Sequence, residues 1–162
     1  MAKAYSVDTS SLKNFEEFSL LIYYEVMRHA TNYERIDLVF DRYFEMSLKE
    51  GTRLGRGDGS KYSFEGDSTE LPFKMVENFL SYSENKDELN EYLAKKLIEL
   101  HQSDKMMVAT YRDTSLVSHS PCSELEQYVP VGPSGAEEED QRLARHALNM
   151  IHNGYKDIVI WD

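Results

Sequence analysis

Three short apolar runs in this chain each end at an aspartate. Ala4-Tyr5-Ser6-Val7 precedes Asp8, Ile36-Asp37-Leu38-Val39-Phe40 precedes Asp41, and Ile158-Val159-Ile160-Trp161 precedes Asp162. Runs rich in β-branched and aromatic residues read as β-strands. In an open parallel sheet, carboxylates leaving neighbouring strands converge on one rim, the place where α/β proteins bind their ligands. Like charges brought that close repel one another unless a cation sits between them. Oxygen donors with few histidines suit Mg²⁺ or Mn²⁺ better than zinc. A single aspartate after a strand is an ordinary turn or cap residue. Three in one chain put a metal site on an equal footing with that reading.

A second acidic group stands at Glu137-Glu138-Glu139-Asp140. Ser134 with Glu137 has the spacing of a capping box, so these acids open a helix running from about Ala136 to His152. Acids in a first helical turn are favoured by the helix dipole whether or not they bind anything. Glu137 and Asp140 share a helix face, whereas Glu138 and Asp140 need the looser geometry of a helix start to converge. Other chemistries fail on spacing. Asp8-Thr9-Ser10 is not the Asp-x-Asp of haloacid-dehalogenase phosphatases, and Leu12 breaks an integrin-type Asp-x-Ser-x-Ser site. No Walker loop, Rossmann glycine fingerprint or nucleophile elbow is present. His29, His101, His119, His146 and His152 lack zinc-ligand spacing and read as scattered surface residues. Cys122 is the sole cysteine, which excludes an internal disulfide framework.

The elements that would position these acids alternate. After the strand at Ala4–Val7, a helix is expected from Phe15 to Ala30, carried by Phe15, Phe18, Ile22 and Val26 and capped by Asn14 with Glu17. The strand at Ile36–Phe40 leads to a short helix at Tyr43–Glu50. Residues 51–70, with five glycines over GTRLGRGDGSKYSFEGDST, read as a long flexible loop. Helices follow at Leu71–Leu80 and Asp87–His101, the second patterned through Leu89, Tyr92, Leu93, Leu97 and Leu100. Met106–Tyr111 is a third strand, and Arg112–Gly135 is irregular, with short strands near Leu116 and Tyr128. Gly154 closes the last helix and Ile158–Asp162 is a fourth strand. The alternation predicts an α/β fold, a mostly parallel central sheet with helices on both faces.

A chain of 162 residues is long enough for one domain with a real core. Eighteen basic against 29 acidic residues leave a net charge of −11, the wrong sign for a protein gripping phosphates non-specifically. Any hold on a nucleic-acid backbone would have to be local. No run approaches the ~18 apolar residues of a membrane helix, and the N-terminus lacks a basic region followed by an apolar one. The expected setting is intracellular, nuclear or cytoplasmic, with no membrane partner.

Taken in order, several segments form a series: Arg35-Ile36-Asp37-Leu38-Val39-Phe40-Asp41-Arg42-Tyr43, Ser47-Leu48-Lys49 with Arg53 and Arg56, Asn85-Lys86-Asp87-Glu88-Leu89, and Glu137-Glu138-Glu139-Asp140-Gln141-Arg142 entering a helix with His146. The series resembles an uncharacterised metazoan PIN-like family, often lineage-expanded or mobile-element-associated, with a flap-endonuclease-like fold. The FDRY and EExDxR segments are its most specific parts, and the resemblance runs along nearly the whole chain. It implies a single PIN-like domain over 1–162 that binds Mg²⁺ or Mn²⁺ and hydrolyses nucleic-acid phosphodiesters. The implied metal ligands and catalytic acids are Asp8, Asp41, Glu138 and Asp140, and Lys49, Arg53 and Arg56 resemble residues that steer phosphate. The family continues past the last strand into an Asp-x-Asp pair, and this chain stops at Asp162. The expectation is therefore a domain truncated at its C-terminal end, with catalysis weakened or lost. The competing expectation is a non-catalytic PIN-like module that binds a protein partner. A metal-dependent small-molecule phosphatase fits the acids but has no supporting motif.

Overall fold

The structure, a computed structural model, describes residues 12–41, 80, 83–118 and 139–160, with the backbone alone for Glu139 and Asp140. Among these residues the chain is a small α/β fold of three helices and a three-stranded mixed sheet. In chain order the elements are α1 (Phe15–His29), β1 (Arg35–Val39), α2 (Ser83–Leu100), β2 (Met106–Tyr111), β3 (Thr114–Val117) and α3 (Glu139–His152).

Asn14 opens α1 from an extended backbone, its Oδ1 accepting the Glu17 amide at 2.9 Å, while Glu17 Oε2 accepts the Lys13 amide at 2.8 Å. This is the capping box read from the sequence, displaced by one residue in its return bond. Phe15, Phe18 and Ile22 share one buried face of α1 and meet Leu89, Leu93, Ala94 and Leu97 of α2. Phe15 also meets Tyr92 edge-on, with ring centroids 6.2 Å apart. α2 covers one face of the sheet and α1 packs against α2 in the same core, where Ile36 and Phe40 stand beside Met107, Ala109 and Tyr111. Every residue of β2 is buried, as expected of the middle strand.

β1 and β2 run parallel, with Asp37 opposite Val108 and Val39 opposite Thr110. β3 returns antiparallel, so the described sheet is mixed rather than mostly parallel. Only Arg112 and Asp113 separate β2 from β3, too few residues for the crossover that a parallel strand requires. Arg112 takes the left-handed φ of 47° that the tight link demands. Its guanidinium is tied to Asp87 and Glu91 of α2, each at 2.6 Å.

α3 ends in a Schellman turn: the Gly154 amide donates to Ile151 and the Tyr155 amide to Met150, with Gly154 at φ 87°. Gly154 thus takes the role expected of it. Beyond the turn, residues 155–160 form no strand among the described residues, and Val159 and Ile160 are exposed. The fourth strand is therefore corrected over 158–160, where no neighbouring strand among the described residues supplies a ladder. The expected strand at Ala4–Val7, helix at Tyr43–Glu50, loop at 51–70, helix at Leu71–Leu80 apart from helical Leu80, and strand near Tyr128 lie outside the described residues.

Candidate functional site

Successive residues of a strand face opposite ways. Ile36 and Phe40 enter the apolar core, so Arg35 and Asp37 project from the other side of β1. α3 meets them there. Arg35 donates to Asp37 through Nε at 2.6 Å and Nη2 at 2.8 Å, and Nη2 also donates to Asn149 Oδ1 at 2.8 Å. His146 Nδ1 stands 2.6 Å from Asp37 Oδ2. A carboxylate only accepts, so this nitrogen carries the proton. All three charged or titratable side chains are sealed from solvent, at 1% exposure for Arg35 and 3% for Asp37 and His146. His146 Nε2 is left buried with no hydrogen-bond partner among the described residues.

Two further contacts complete the seam. Arg142, 1% exposed, donates to the carbonyl of Arg112 at 2.9 Å and, at 3.5 Å, to that of Thr110. The Schellman turn directs Tyr155 back so that its ring covers the Arg35 guanidinium, 5.5 Å from the ring centroid. Burial pushes the Tyr155 hydroxyl above its ordinary value, with the neighbouring Arg35 charge opposing.

These contacts fix the direction of α3. Asn149 meets Arg35 at the start of β1, His146 meets Asp37 in its middle, and Arg142 meets Thr110, the partner of Val39 at its end. The helix therefore runs antiparallel to β1. At about 1.5 Å per residue, two residues back from Arg142 is a step of about 3 Å, roughly one strand residue. The backbone of Asp140 thus comes level with the end of β1, where Asp41 follows Phe40. Asp41 is half-buried, and its carbonyl accepts a bond from the buried amide of Asn90 on α2 at 3.1 Å. The Phe40 amide donates to Thr110 at 3.0 Å, which extends the parallel ladder to that point.

Of the acids expected at the rim, then, Asp41 and the backbone of Asp140 come to the same end of the β1–α3 pair. Asp8, Glu138, Lys49, Arg53, Arg56 and Asp162 lie outside the described residues, as does the side chain of Asp140. Among the described residues no three His, Cys, Asp or Glu side chains are grouped so as to hold a metal. The surface assignment of His146 is corrected, because it is a buried partner of Asp37. His101 is also engaged, its Nε2–H donating to the Lys105 carbonyl at 2.7 Å.

The Arg35–Asp37–His146–Asn149 cluster went unread in the sequence, although two signals carried it. Arg35 and Asp37 alternate with apolar neighbours at strand period, and Arg142, His146 and Asn149 fall at i, i+4 and i+7 on one helix face. Compared with protein-family models, with curated proteins and with solved structures, the chain matches none. The described residues define a small α/β fold with a buried polar helix–strand seam. No helix among the described residues is long and apolar enough to cross a membrane.

Proposed function

We propose that this chain is a PIN-like, divalent-metal-dependent nuclease domain that hydrolyses nucleic-acid phosphodiesters inside the cell. One observation supports the proposal: α3 lies antiparallel to β1, so the backbone of its first turn lies toward the end of the strand that Asp41 follows. The contacts of β1 support the two-faced layering of such a fold, with even residues toward α1 and α2 and odd ones toward α3. Asp8, Asp41, Glu138 and Asp140 would hold Mg²⁺ or Mn²⁺, and Asp41 is the hard oxygen donor such ions take. When bound, the ions supply an activated water and charge stabilisation of the leaving oxygen. The protein's own part is to hold Asp41 in place through Asn90 and to present Lys49, Arg53 and Arg56 to the phosphate.

Thermal unfolding of the wild type and of Asp41→Asn, each titrated with Mn²⁺ and with Mg²⁺, tests this reading. A ligand at about 100 times its dissociation constant stabilises the folded state by about 2.7 kcal/mol. The expected result is stabilisation of the wild type alone, together with nucleic-acid cleavage that EDTA and Asp41→Asn both abolish. Cleavage that survives either treatment overturns the reading. A second reading, a non-catalytic module binding a protein partner, draws on the outward face of α3. Leu148 and Ile151 are each 56% exposed there. A complex formed by the wild type and by Asp41→Asn alike, with no response to metal, would favour it.

A further inference from the structure

The turn that closes α3 holds the chain's sole Asn-Gly pair, Asn153-Gly154. Every other asparagine precedes a residue that carries a side chain. An asparagine amide carbon is open to attack by the backbone nitrogen of the residue after it. Glycine hinders that nitrogen least, because it has no Cβ and the freest backbone. The surroundings add no hindrance here, since even a Cβ at Gly154 would meet nothing within 4 Å.

In the closed turn both reacting groups are held back. The Gly154 amide donates to the Ile151 carbonyl at 3.0 Å. The Asn153 Nδ2 donates to the Asn149 carbonyl at 2.8 Å and to Asn149 Oδ1 at 3.3 Å. Attack requires that both be released, so the reaction proceeds from an opened helix end. Ile151, His152 and Gly154 are exposed, and such ends open locally at far less than the free energy of global unfolding. Asn149 joins this turn to the rest of the fold, because its Oδ1 also accepts from Arg35 Nη2 at 2.8 Å. The Asn153 side chain thus stands directly behind the contact that holds α3 to the start of β1.

We propose that Asn153-Gly154 is a site of self-modification by deamidation, gated by the turn, whose product loosens the Asn149 end of the seam. The Gly154 nitrogen bonds to Asn153 Cγ, the Cγ–Nδ2 bond breaks, and ammonia leaves with the proton that the Gly154 nitrogen gave up. The five-membered succinimide then takes up one water and opens at either carbonyl, to aspartate or to isoaspartate. An aspartate carboxylate only accepts, so the donor to Asn149 is lost and acceptor is set against acceptor. It also places a negative charge at a helix C-terminus, the end that disfavours it. Isoaspartate adds a methylene to the backbone, which breaks the spacing of the Schellman bonds. The inference rests on this turn alone and is independent of any metal.

The test ages the full chain in mildly alkaline buffer, folded and in urea, and maps its peptides by mass spectrometry. Deamidation at Asn153 should outrun that at every other asparagine, and should be slower in the folded protein than in urea. Asn149→Leu removes the Arg35 contact and one acceptor of the Asn153 amide. It should quicken the folded reaction by about fivefold, the population shift that follows from losing one net hydrogen bond. The converted fraction of the wild type, separated by charge, needs no variant and should melt roughly 2–4 °C below the unconverted fraction. Conversion without preference for Asn153, a folded rate equal to the rate in urea, or a folded Asn149→Leu that reacts no faster than the wild type each overturns the inference. So does a converted fraction that melts with the unconverted one.

Discussion

Replacing Asp37 with alanine removes the acceptor of three short hydrogen bonds, from Arg35 Nε, Arg35 Nη2 and His146 Nδ1, at 2.6, 2.8 and 2.6 Å. The three side chains are 1–3% exposed, so solvent neither screens the pair nor readily replaces the lost carboxylate. Breaking a buried charge pair by deleting one member costs about 3–5 kcal/mol, since the surviving charge stays desolvated. A chain of this class is stable by roughly 5–15 kcal/mol, so Asp37→Ala should consume at least about a fifth of the margin. Urea unfolding followed by far-ultraviolet circular dichroism reads this as a lower midpoint at unchanged slope. The double variant Arg35→Met/Asp37→Leu removes both charges and fills their volume, and should recover at least half of the loss. Recovery stays incomplete because His146 still loses its acceptor. A cost below about 1 kcal/mol for Asp37→Ala, the range of exposed pairs, would refute the assignment of a buried seam. So would a double variant as destabilised as the sum of its parts.

Three smaller perturbations probe the surrounding frame. Asn14→Ala deletes the cap that accepts the Glu17 amide and should cost about 1 kcal/mol, seen as a drop of roughly 2–4 °C in melting temperature. Gly154→Ala meets no neighbouring atom within 4 Å, so its cost of about 1–2 kcal/mol comes from the left-handed backbone alone, and equilibrium unfolding measures it directly. The Arg28 guanidinium beside Glu25 holds that carboxyl at about 2 against an ordinary 4.5. A lowered folded value means the ionised carboxylate favours folding above pH 4.5 and the contribution fades as pH falls toward 2. The stability difference between wild type and Glu25→Gln should therefore shrink across that window in an acid titration.

The three described helices and two of the strands were legible because their signals are local. Phe15, Phe18 and Ile22 repeat at helical spacing, Asn14 and Glu17 mark the start, and Gly154 marks an end that only a left-handed residue closes comfortably. Met106–Tyr111 reads as a strand at both boundaries. The hairpin to β3 was harder, because Arg112-Asp113 is not one of the glycine-containing pairs that announce a tight turn. Arg112 adopts its positive φ without that preference, and the ion pairs to Asp87 and Glu91 hold its side chain in the turn. At Ile158–Ile160 the opposite error arose. β-branched residues fit a strand, but they do not supply a neighbour, and over the described residues none is present.

The buried seam eluded the sequence for a different reason, since it inverts the usual assignment of faces. Reading α3 by hydropathy turns Leu148 and Ile151 inward and leaves Arg142, His146 and Asn149 in water. The structure has the reverse, with Asn149 8% exposed and Leu148 56%. The deciding partners are Arg35 and Asp37, more than 100 residues away along the chain. Histidine is intermediate in its burial, and here a facing carboxylate supplies the hydrogen bond that burial requires. Hydropathy sets the burial of a residue considered singly; a hydrogen-bonded charge set is buried as a unit. The acids expected at a rim have the contrary property, each ordinary in isolation and notable only in sequence order. Antiparallel docking of α3 on β1 runs the start of the helix toward the end of the strand that Asp41 follows, and the polar seam sets that direction.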